Sequence, residues 1–296
     1  FSSSIQAALD NPYGISKRDA EAALHEFAAH TGAAVAIYRL PNLFGKWCRP
    51  NYNSVVATFC HGVARGLPIH VSDPERQLEL AYIDDVVSAF LRELTDGPSG
   101  VSFKEVAVSH KVTLGRLAEL LQEFQASRST LVMPDLSDPL ARKLYATFLS
   151  HLPEDGFAYR LEKRSDDRGD LAEFIKSAHF GQVFVSRTKP GITRGNHYHH
   201  TKVEKFLVLE GEAVIRFRHI ERSDLIEYPI SGRDLKIVDV PPGYTHSIEN
   251  VGITDMIVLF WASEIFDPGK PDTHFLEVSS AAREAHEGGN HRRDAA

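Results

Sequence analysis

The stretch GITRGNHYHHTKVEKFLVLEG, residues 191–211, holds two histidines two positions apart, His197 and His199, and a carboxylate, Glu204, beyond a turn-like HTKV. On a β-strand, residues i and i+2 share a face, so the two imidazoles point the same way. A later segment, PPGYTHSIEN (241–250), adds His246 just past a Pro-Gly turn. Three neutral imidazoles and one carboxylate inside a β shell carry one negative charge against a metal's two positive charges. They suit a divalent transition metal and leave coordination positions for water or substrate. His200, His219 and His274 stand singly and read as ordinary core or surface residues.

Around this stretch, from 156 to 262, run short alternating segments: FAYRLEK, GQVFVSRTK, KFLVLEGEAVIRFRHI, LKIVDVP and DMIVLFWA. Gly and Pro turns separate them, which predicts a sandwich or barrel. Ahead of Pro153 the grammar differs. Strands are expected at FSSSI (1–5), AAVAIYRL (33–40), LPIHV (67–71) and LELAYI (78–83). Helices are expected over 13–31, 55–66, 84–94, 112–127 and 138–152, with Asp84 and Asp85 as a cap pair for the third. Helix–strand alternation means an α/β unit. The expected division is 1–150 for the α/β part, 151–280 for the β domain and a disordered tail over 281–296.

Composition narrows the function. Lys plus Arg number 33 and Asp plus Glu 40, a formal charge of −7. No basic excess exists to release counterions, so no nucleic-acid partner is expected. No apolar run is long enough to span a bilayer, so no membrane partner is expected either. Two cysteines, Cys48 and Cys60, make no disulfide framework, and a reducing cytoplasm is the expected compartment.

Near the start, Tyr13 and Lys17 stand four apart in NPYGISK (11–17), on one face of a helix. A free phenol ionises near pH 10. An ammonium beside a phenol favours the phenolate, which suits it to acid–base work. FSSS (1–4), NPYGISK, YRLPNLFG (38–45) and AYIDDVV (81–87), in that order, resemble the extended short-chain dehydrogenase/reductase family. The resemblance implies the C-terminal part of a Rossmann-type domain. It implies catalytic roles for Ser4, Tyr13 and Lys17, with Ser3 as the fallback for Ser4 and with Tyr13 and Lys17 also meeting NADP(H). It puts Arg39, Asn42, Asn51, Asn53 and Ser54 against a nucleotide sugar. That family's glycine-rich cofactor turn precedes the serine, and no G-x-x-G-x-x-G follows a strand in these 296 residues. The chain therefore reads as N-terminally truncated, with its reductase half inactive alone.

The spacing G-x5-H-x-H-x4-E-x6-G, followed by P-x-G-x2-H-x3-N, looks like the two motifs of the cupin superfamily, except that Leu235 stands where the second motif has its leading glycine. The resemblance implies an all-β barrel and His197, His199, Glu204 and His246 as metal ligands. Zinc is the leading ion, and manganese, iron and nickel also suit the set. Cupins pair through sheet edges, so a homodimer is expected. A reductase part followed by a cupin, with the phrases RLPNLFGKWCRPNYNS, PPGYTHSIENVG and FDPGKPDTHFLEV, resembles the bifunctional capsular polysaccharide synthesis enzymes. Membership implies a UDP-4-keto-6-deoxy-N-acetylhexosamine substrate. The cupin would epimerise C3, and the reductase would reduce the C4 ketone with NADPH to UDP-2-acetamido-2,6-dideoxy-L-talose. Lys205, Tyr198, His200 and Asp267 are the candidate bases for C3. Two other readings compete: a stand-alone metal-dependent cupin acting as sugar isomerase or dioxygenase, and a non-catalytic sugar-nucleotide-binding module. The missing turn gives a direct expectation. A fluorescence titration of these 296 residues with NADPH should show no micromolar affinity, and a micromolar dissociation constant would overturn it.

Overall fold

The computed structural model describes residues 1–97 and 100–278; the tail expected over 281–296 lies outside them. The chain divides into two compact units. One comprises Phe1–Thr130 with Pro134–Tyr159, the other Leu131–Met133 with Arg160 onward.

In the first unit, β1 (Ser2–Ser4) passes through a 3-10 turn (Ile5–Ala8) into α1 (Pro12–Thr31). Asn11 starts α1, its Oδ1 accepting from Gly14 N at 2.8 Å. Proline occupies the first position, where the missing N–H is not needed. Gly32, at φ 72°, ends the helix in the left-handed region. Strands β2 (Val35–Leu40), β3 (Asn42–Phe44) and β4 (Gln77–Tyr82) follow, with α2 (Val55–Ala64) between the last two. Then come α3 (Ile83–Asp96), β5 (Val101–Lys104), β6 (His110–Thr113), α4 (Leu114–Thr130) and α5 (Pro139–Leu149). Two three-stranded sheets result: the parallel β1-β2-β5, and β3-β4-β6 with β6 antiparallel. Phe44, Leu80, Leu117, Leu121, Phe124, Leu144 and Phe148 form the core between the second sheet and α2, α4 and α5.

Two local expectations are corrected here. LPIHV (67–71) is not a strand: Pro68 lacks an N–H to donate, and Ile69 and Val71 pack against the helical core without a ladder partner. Asp84 and Asp85 do not cap α3. Tyr82 holds the cap position without a side-chain bond, while Asp84 pairs with Lys46 at 3.1 Å and Asp85 with Lys143 at 2.6 Å. Both carboxylates still sit in the first turn, where the helix dipole favours them.

The second unit is all β. Its strands are β7 (Lys163–Asp166), β8 (Gly169–Ser177), β9 (Gly181–Thr188), β10 (Thr193–Tyr198), β11 (Glu204–Glu210) and β12 (Glu212–His219). β13 (Leu225–Ser231), β14 (Ile237–Val240), β15 (Tyr244–Asn250), β16 (Met256–Ala262) and β17 (His274–Phe275) complete it. One antiparallel sheet runs β13-β12-β15-β10-β17 and the other β14-β11-β16-β9-β8-β7. Alternate residues of both, among them Phe206, Val208, Ile215, Phe217, Ile248, Val258 and Phe260, face each other across one apolar interior. FAYRLEK enters strand structure only at Lys163; Tyr159, ahead of it, lies under the Arg128 guanidinium in the first unit. Among the described residues no helix is long and apolar enough to cross a membrane.

Gly14 marks the tightest approach in the first unit. A Cβ there would stand 2.2 Å from Gln6 O and 2.5 Å from Leu9 O. Gly14→Ala should therefore push α1 off the 3-10 turn and lower stability by roughly 2 kcal/mol. A denaturant midpoint equal to wild type would show that the turn gives way freely.

Candidate functional site

Each unit holds one polar constellation. In the first, the chain from β1 to α1 is pinned by Arg18, whose Nη1 donates to Ala7 O (2.9 Å) and Leu9 O (3.0 Å) and whose Nη2 donates to Asp10 (2.7 Å). This fixes the start of α1, and with it Tyr13, beside the end of β1. Ser4, Tyr13, Asn42, Asn53 and Ser54 all line a cleft of ≈ 810 Å³. Lys17 Nζ donates to Ser2 O at 3.0 Å and sits 5.6 Å from the Tyr13 ring centre. The Ser4 hydroxyl accepts from Gln6 N at 3.2 Å and donates to no described residue. Ser3 is committed elsewhere, donating to the buried Glu21 carboxylate. Of the two serines, Ser4 is the one with a proton to offer the cleft.

Two residues expected to touch the substrate do not line the cleft. Arg39 forms a forked pair with Glu21, Nε to Oε1 at 3.0 Å and Nη2 to Oε2 at 2.7 Å, and its guanidinium lies 4.8 Å from the Phe103 ring centre. Strand alternation explains this: Leu40 lines the cleft, so Arg39 faces the other side of β2. Asn51 takes a left-handed turn at φ 57° and faces solvent, its N–H donating to Thr58 Oγ1. The sequence reading missed Arg76. It lines the cleft, and its guanidinium has no ion pair or hydrogen bond among the described residues, which leaves it able to meet an anion. Its only sequence signal is a lone basic residue in an acidic loop.

In the second unit, His197, His199, Glu204 and His246 each turn one ligand atom into a common space, all within 4.8 Å of one another. The local backbone achieves this with a bulge. Pairing of β10 with β15 shifts register between Gly195 and His197, which brings His197 opposite His246. Gly195, at φ 99°, lies so close to β15 that a Cβ would stand 2.7 Å from His246 O. Asn250, the last residue of the second motif, is structural: its Nδ2 donates to Thr188 O and Thr254 O and its Oδ1 accepts from Gly252 N.

Charge and tautomer fit a cation. His199 Nδ1 lies 2.6 Å from Asp272 O; a carbonyl only accepts, so the proton is on Nδ1 and Nε2 carries a lone pair. The Nε2 atoms of His199 and His246 are buried with no hydrogen bond, and each lies 3.4 Å from Glu204 Oε2. Donors about 2.1 Å from a tetrahedral centre stand about 3.4 Å apart, so this spacing is that of ligands around one small ion. Burial, and after it the His246 imidazole, push His197 down to about 4, so it is neutral near pH 7. His199 and His246 are 1 % exposed, and the more open side of the cluster is at His197.

None of the four expected bases faces this cluster. Tyr198 alternates with His197 and stacks on His274 outside the barrel, and His200 packs edge-on against the same two rings. Lys205 alternates with Glu204 and pairs with Asp239, and Asp267 accepts from Gly269 N in a turn. The inward-facing phenol is Tyr244, two residues before His246 on β15. It packs on the barrel core, with its ring edge-on to His219 at 5.1 Å. The i, i+2 spacing from His246 was the signal that could have found it.

Comparison with known proteins agrees with both halves. Residues 2–108 match the NAD dependent epimerase/dehydratase family, and residues 164–274 match the Polysaccharide biosynthesis C-terminal domain. The chain is 45% identical over 282 residues to a UDP-2-acetamido-2,6-beta-L-arabino-hexul-4-ose reductase of Pseudomonas aeruginosa, covering 95% of this chain and 76% of that one. It is similar to the crystal structure of the capsular polysaccharide assembling protein CapF from Staphylococcus aureus, with a TM-score of 0.89 and 51% identity over 94% of this chain and 76% of that one. A spore coat polysaccharide biosynthesis protein, SpsL of Bacillus subtilis, is 24% identical over 123 residues, 38% of this chain and 82% of its own length.

The Glu21 network supplies a pH expectation. The Arg39 hydrogen bonds, followed by the opposing effect of burial and then the Ser3 hydroxyl, leave the Glu21 carboxyl below its ordinary value. A depressed carboxyl stabilises the fold above its unfolded value of about 4 and loses that contribution as pH falls through the folded value. Glu21→Gln should therefore lower the melting temperature at pH 7 and flatten its decline below about pH 4. A variant whose acid decline parallels that of wild type would assign that decline to other carboxylates.

Proposed function

The chain belongs to the family of capsular polysaccharide nucleotide-sugar enzymes that includes CapF and UDP-2-acetamido-2,6-beta-L-arabino-hexul-4-ose reductase, and on that premise we propose that its two sites act in turn on one UDP-linked 4-keto-6-deoxy-N-acetylhexosamine. The barrel epimerises C3, and the cleft of the first unit reduces the C4 ketone to give UDP-2-acetamido-2,6-dideoxy-L-talose. The observation that carries the reading is the convergence of four ligand atoms with two buried imidazole nitrogens lacking any hydrogen bond.

In the barrel, His197, His199, Glu204 and His246 would hold a divalent cation, with zinc the leading candidate. When bound, the cation supplies a Lewis acid for the enolate oxygen that forms as C3 loses its proton. Tyr244 moves that proton, because strand alternation puts its ring on the same inner face of β15 as His246. Phe206 and Phe217 pack their rings 5.7 Å and 6.3 Å from His246 and keep water from the inner side of the site.

In the cleft, the Ser4 hydroxyl donates to the C4 oxygen and Tyr13 delivers the proton to it. Lys17, tethered to Ser2 O, holds its positive charge near the Tyr13 ring. Asn42, Asn53 and Ser54 orient the sugar and base, and Arg76 takes the diphosphate. NADPH, when bound, supplies the hydride, and Tyr13 and Lys17 meet its nicotinamide end. The residues of this chain offer that cofactor no glycine-rich turn for its pyrophosphate.

Incubation with the 4-keto sugar in deuterated water tests the barrel separately from reduction: deuterium should appear at C3. His246→Ala should lose the bound metal by elemental analysis and with it the exchange. Tyr244→Phe should keep its metal while exchange slows by about 100-fold or more. Undiminished exchange in metal-free His246→Ala would remove the barrel cluster from the reaction, and undiminished exchange in Tyr244→Phe would remove the phenol.

A further inference from the structure

Asp272 stands outside the ligand cluster and outside both motifs, on the segment that leads into β17 and back alongside β10. Its backbone carbonyl takes the Nδ1 proton of His199 at 2.6 Å. Its carboxylate takes three successive backbone N–H groups, those of His200, Thr201 and Lys202, each at 2.9 Å, and the Thr201 hydroxyl at 3.0 Å. Asp272 itself sits at φ 36°, a region that residues with a side chain rarely adopt. A contact on either side holds it there: Lys202 Nζ, on a side chain 6 % exposed, reaches both Pro271 O (3.3 Å) and Thr273 Oγ1 (3.1 Å).

We propose that Asp272 is the positioning residue of the cation site: it fixes the tautomer and the ring orientation of His199 and thereby presents Nε2 to the ion. This rests on the reading that the four converging side chains hold a divalent cation. The logic is one of coupled ends. Strand β10 finishes at Tyr198, so His199 lies beyond the regular ladder, at the start of a turn whose N–H groups need acceptors. One carboxylate satisfies three of them and thereby locks the turn to residue 272. The same lock sets the 272 carbonyl against His199 Nδ1. His246 has only a 3.5 Å approach of Nδ1 to Tyr244 O, so its ring is held mainly by packing between Phe206 and Phe217. His199 is the ligand whose geometry depends on a distant segment of chain. Partners of this kind behind a metal ligand change affinity by about 10- to 100-fold when removed.

The test uses the whole chain. Zinc affinity is measured by competition with a chromophoric chelator, and the His199 tautomer of the metal-free protein is read at neutral pH from nitrogen-15 imidazole spectra. Asp272→Ala should bind zinc about 10- to 100-fold more weakly and lose the single Nδ1–H tautomer of His199. Asp272→Asn, which keeps one acceptor oxygen but turns an amide toward the N–H groups, should fall between. Lys202→Met, which frees residues 271 and 273 without touching Asp272, should shift both readouts in the same direction. A folded Asp272→Ala with wild-type affinity and an unchanged His199 spectrum overturns the proposal. If that variant does not fold, wild-type values in Lys202→Met do so instead. Should the wild-type protein take up no zinc, the cation reading itself fails, and the tautomer comparison still decides whether Asp272 orients His199.

Discussion

The Nε2 atoms of His199 and His246, buried and without a hydrogen bond, face one carboxylate oxygen of Glu204 from 3.4 Å inside an apolar barrel. Burial of unpaired polar atoms costs free energy in proportion to how dry the site is. A cation bound among them would give these atoms a partner and offset that cost. The surrounding architecture follows from that constraint. The bulge at Gly195 brings His197 around to join the set, the turn at Gly243 delivers His246, and β11 begins at Glu204. The aromatic rings of Phe206 and Phe217 keep the dielectric low, which strengthens attraction to an ion as much as it penalises the empty arrangement.

The first unit solves a different problem with the same materials. Its polar groups divide into those that are spent on structure and those left for a ligand. Glu21 is 4 % exposed and absorbs Arg39 and Ser3, which ties α1 to β1 and β2. Ser4, one residue along, and Tyr13 are left facing the cleft. Removing Arg39 or Ser3 would leave the buried Glu21 carboxylate short of a partner, so the locked set resists change. A cleft whose groups are seated by the backbone yet keep hydrogen-bonding capacity to spare, as the Ser4 hydroxyl does, is what orientation of a polar sugar demands.

How much of this was legible depended on how far along the chain the cause of each feature lies. His197, His199, Glu204 and His246 could be read because strand period and turn spacing are local, and four fixed offsets leave little freedom. The strands around them announced themselves by alternation. Arg39 and Asn51 misled because the same period has two faces: nothing local says which face of β2 carries the cleft, and the forked bond to Glu21 is formed 18 residues away. LPIHV had the composition of a strand, yet a strand needs a neighbour, and composition does not say whether one is present. Asp272 was invisible for the opposite reason. Its contacts with residues 199–202 span about 70 positions, in a segment with no periodicity at all. Tyr244 was within reach, since strand period alone gives it a face shared with His246.

The proposed function carries an order of steps, set by the chemistry of the ketone. The hydrogen at C3 is removable only while C4 is a ketone, because the carbanion is stabilised as an enolate through that oxygen. Reduction at C4 ends that acidity and makes the configuration at C3 permanent. In the proposed scheme epimerisation therefore comes first, and reduction is the step that commits the product. Exchange at C3 is reversible, so an epimerase alone would deliver a mixture set by the relative stabilities of the two ketones. A reductase that accepts one epimer draws the mixture through, provided its cleft discriminates by contacts made to the C3 hydroxyl. Under the proposed function the barrel site and the cleft that offers Ser4 and Tyr13 are complementary in this sense: each would recognise the same carbonyl, at successive stages of its reaction.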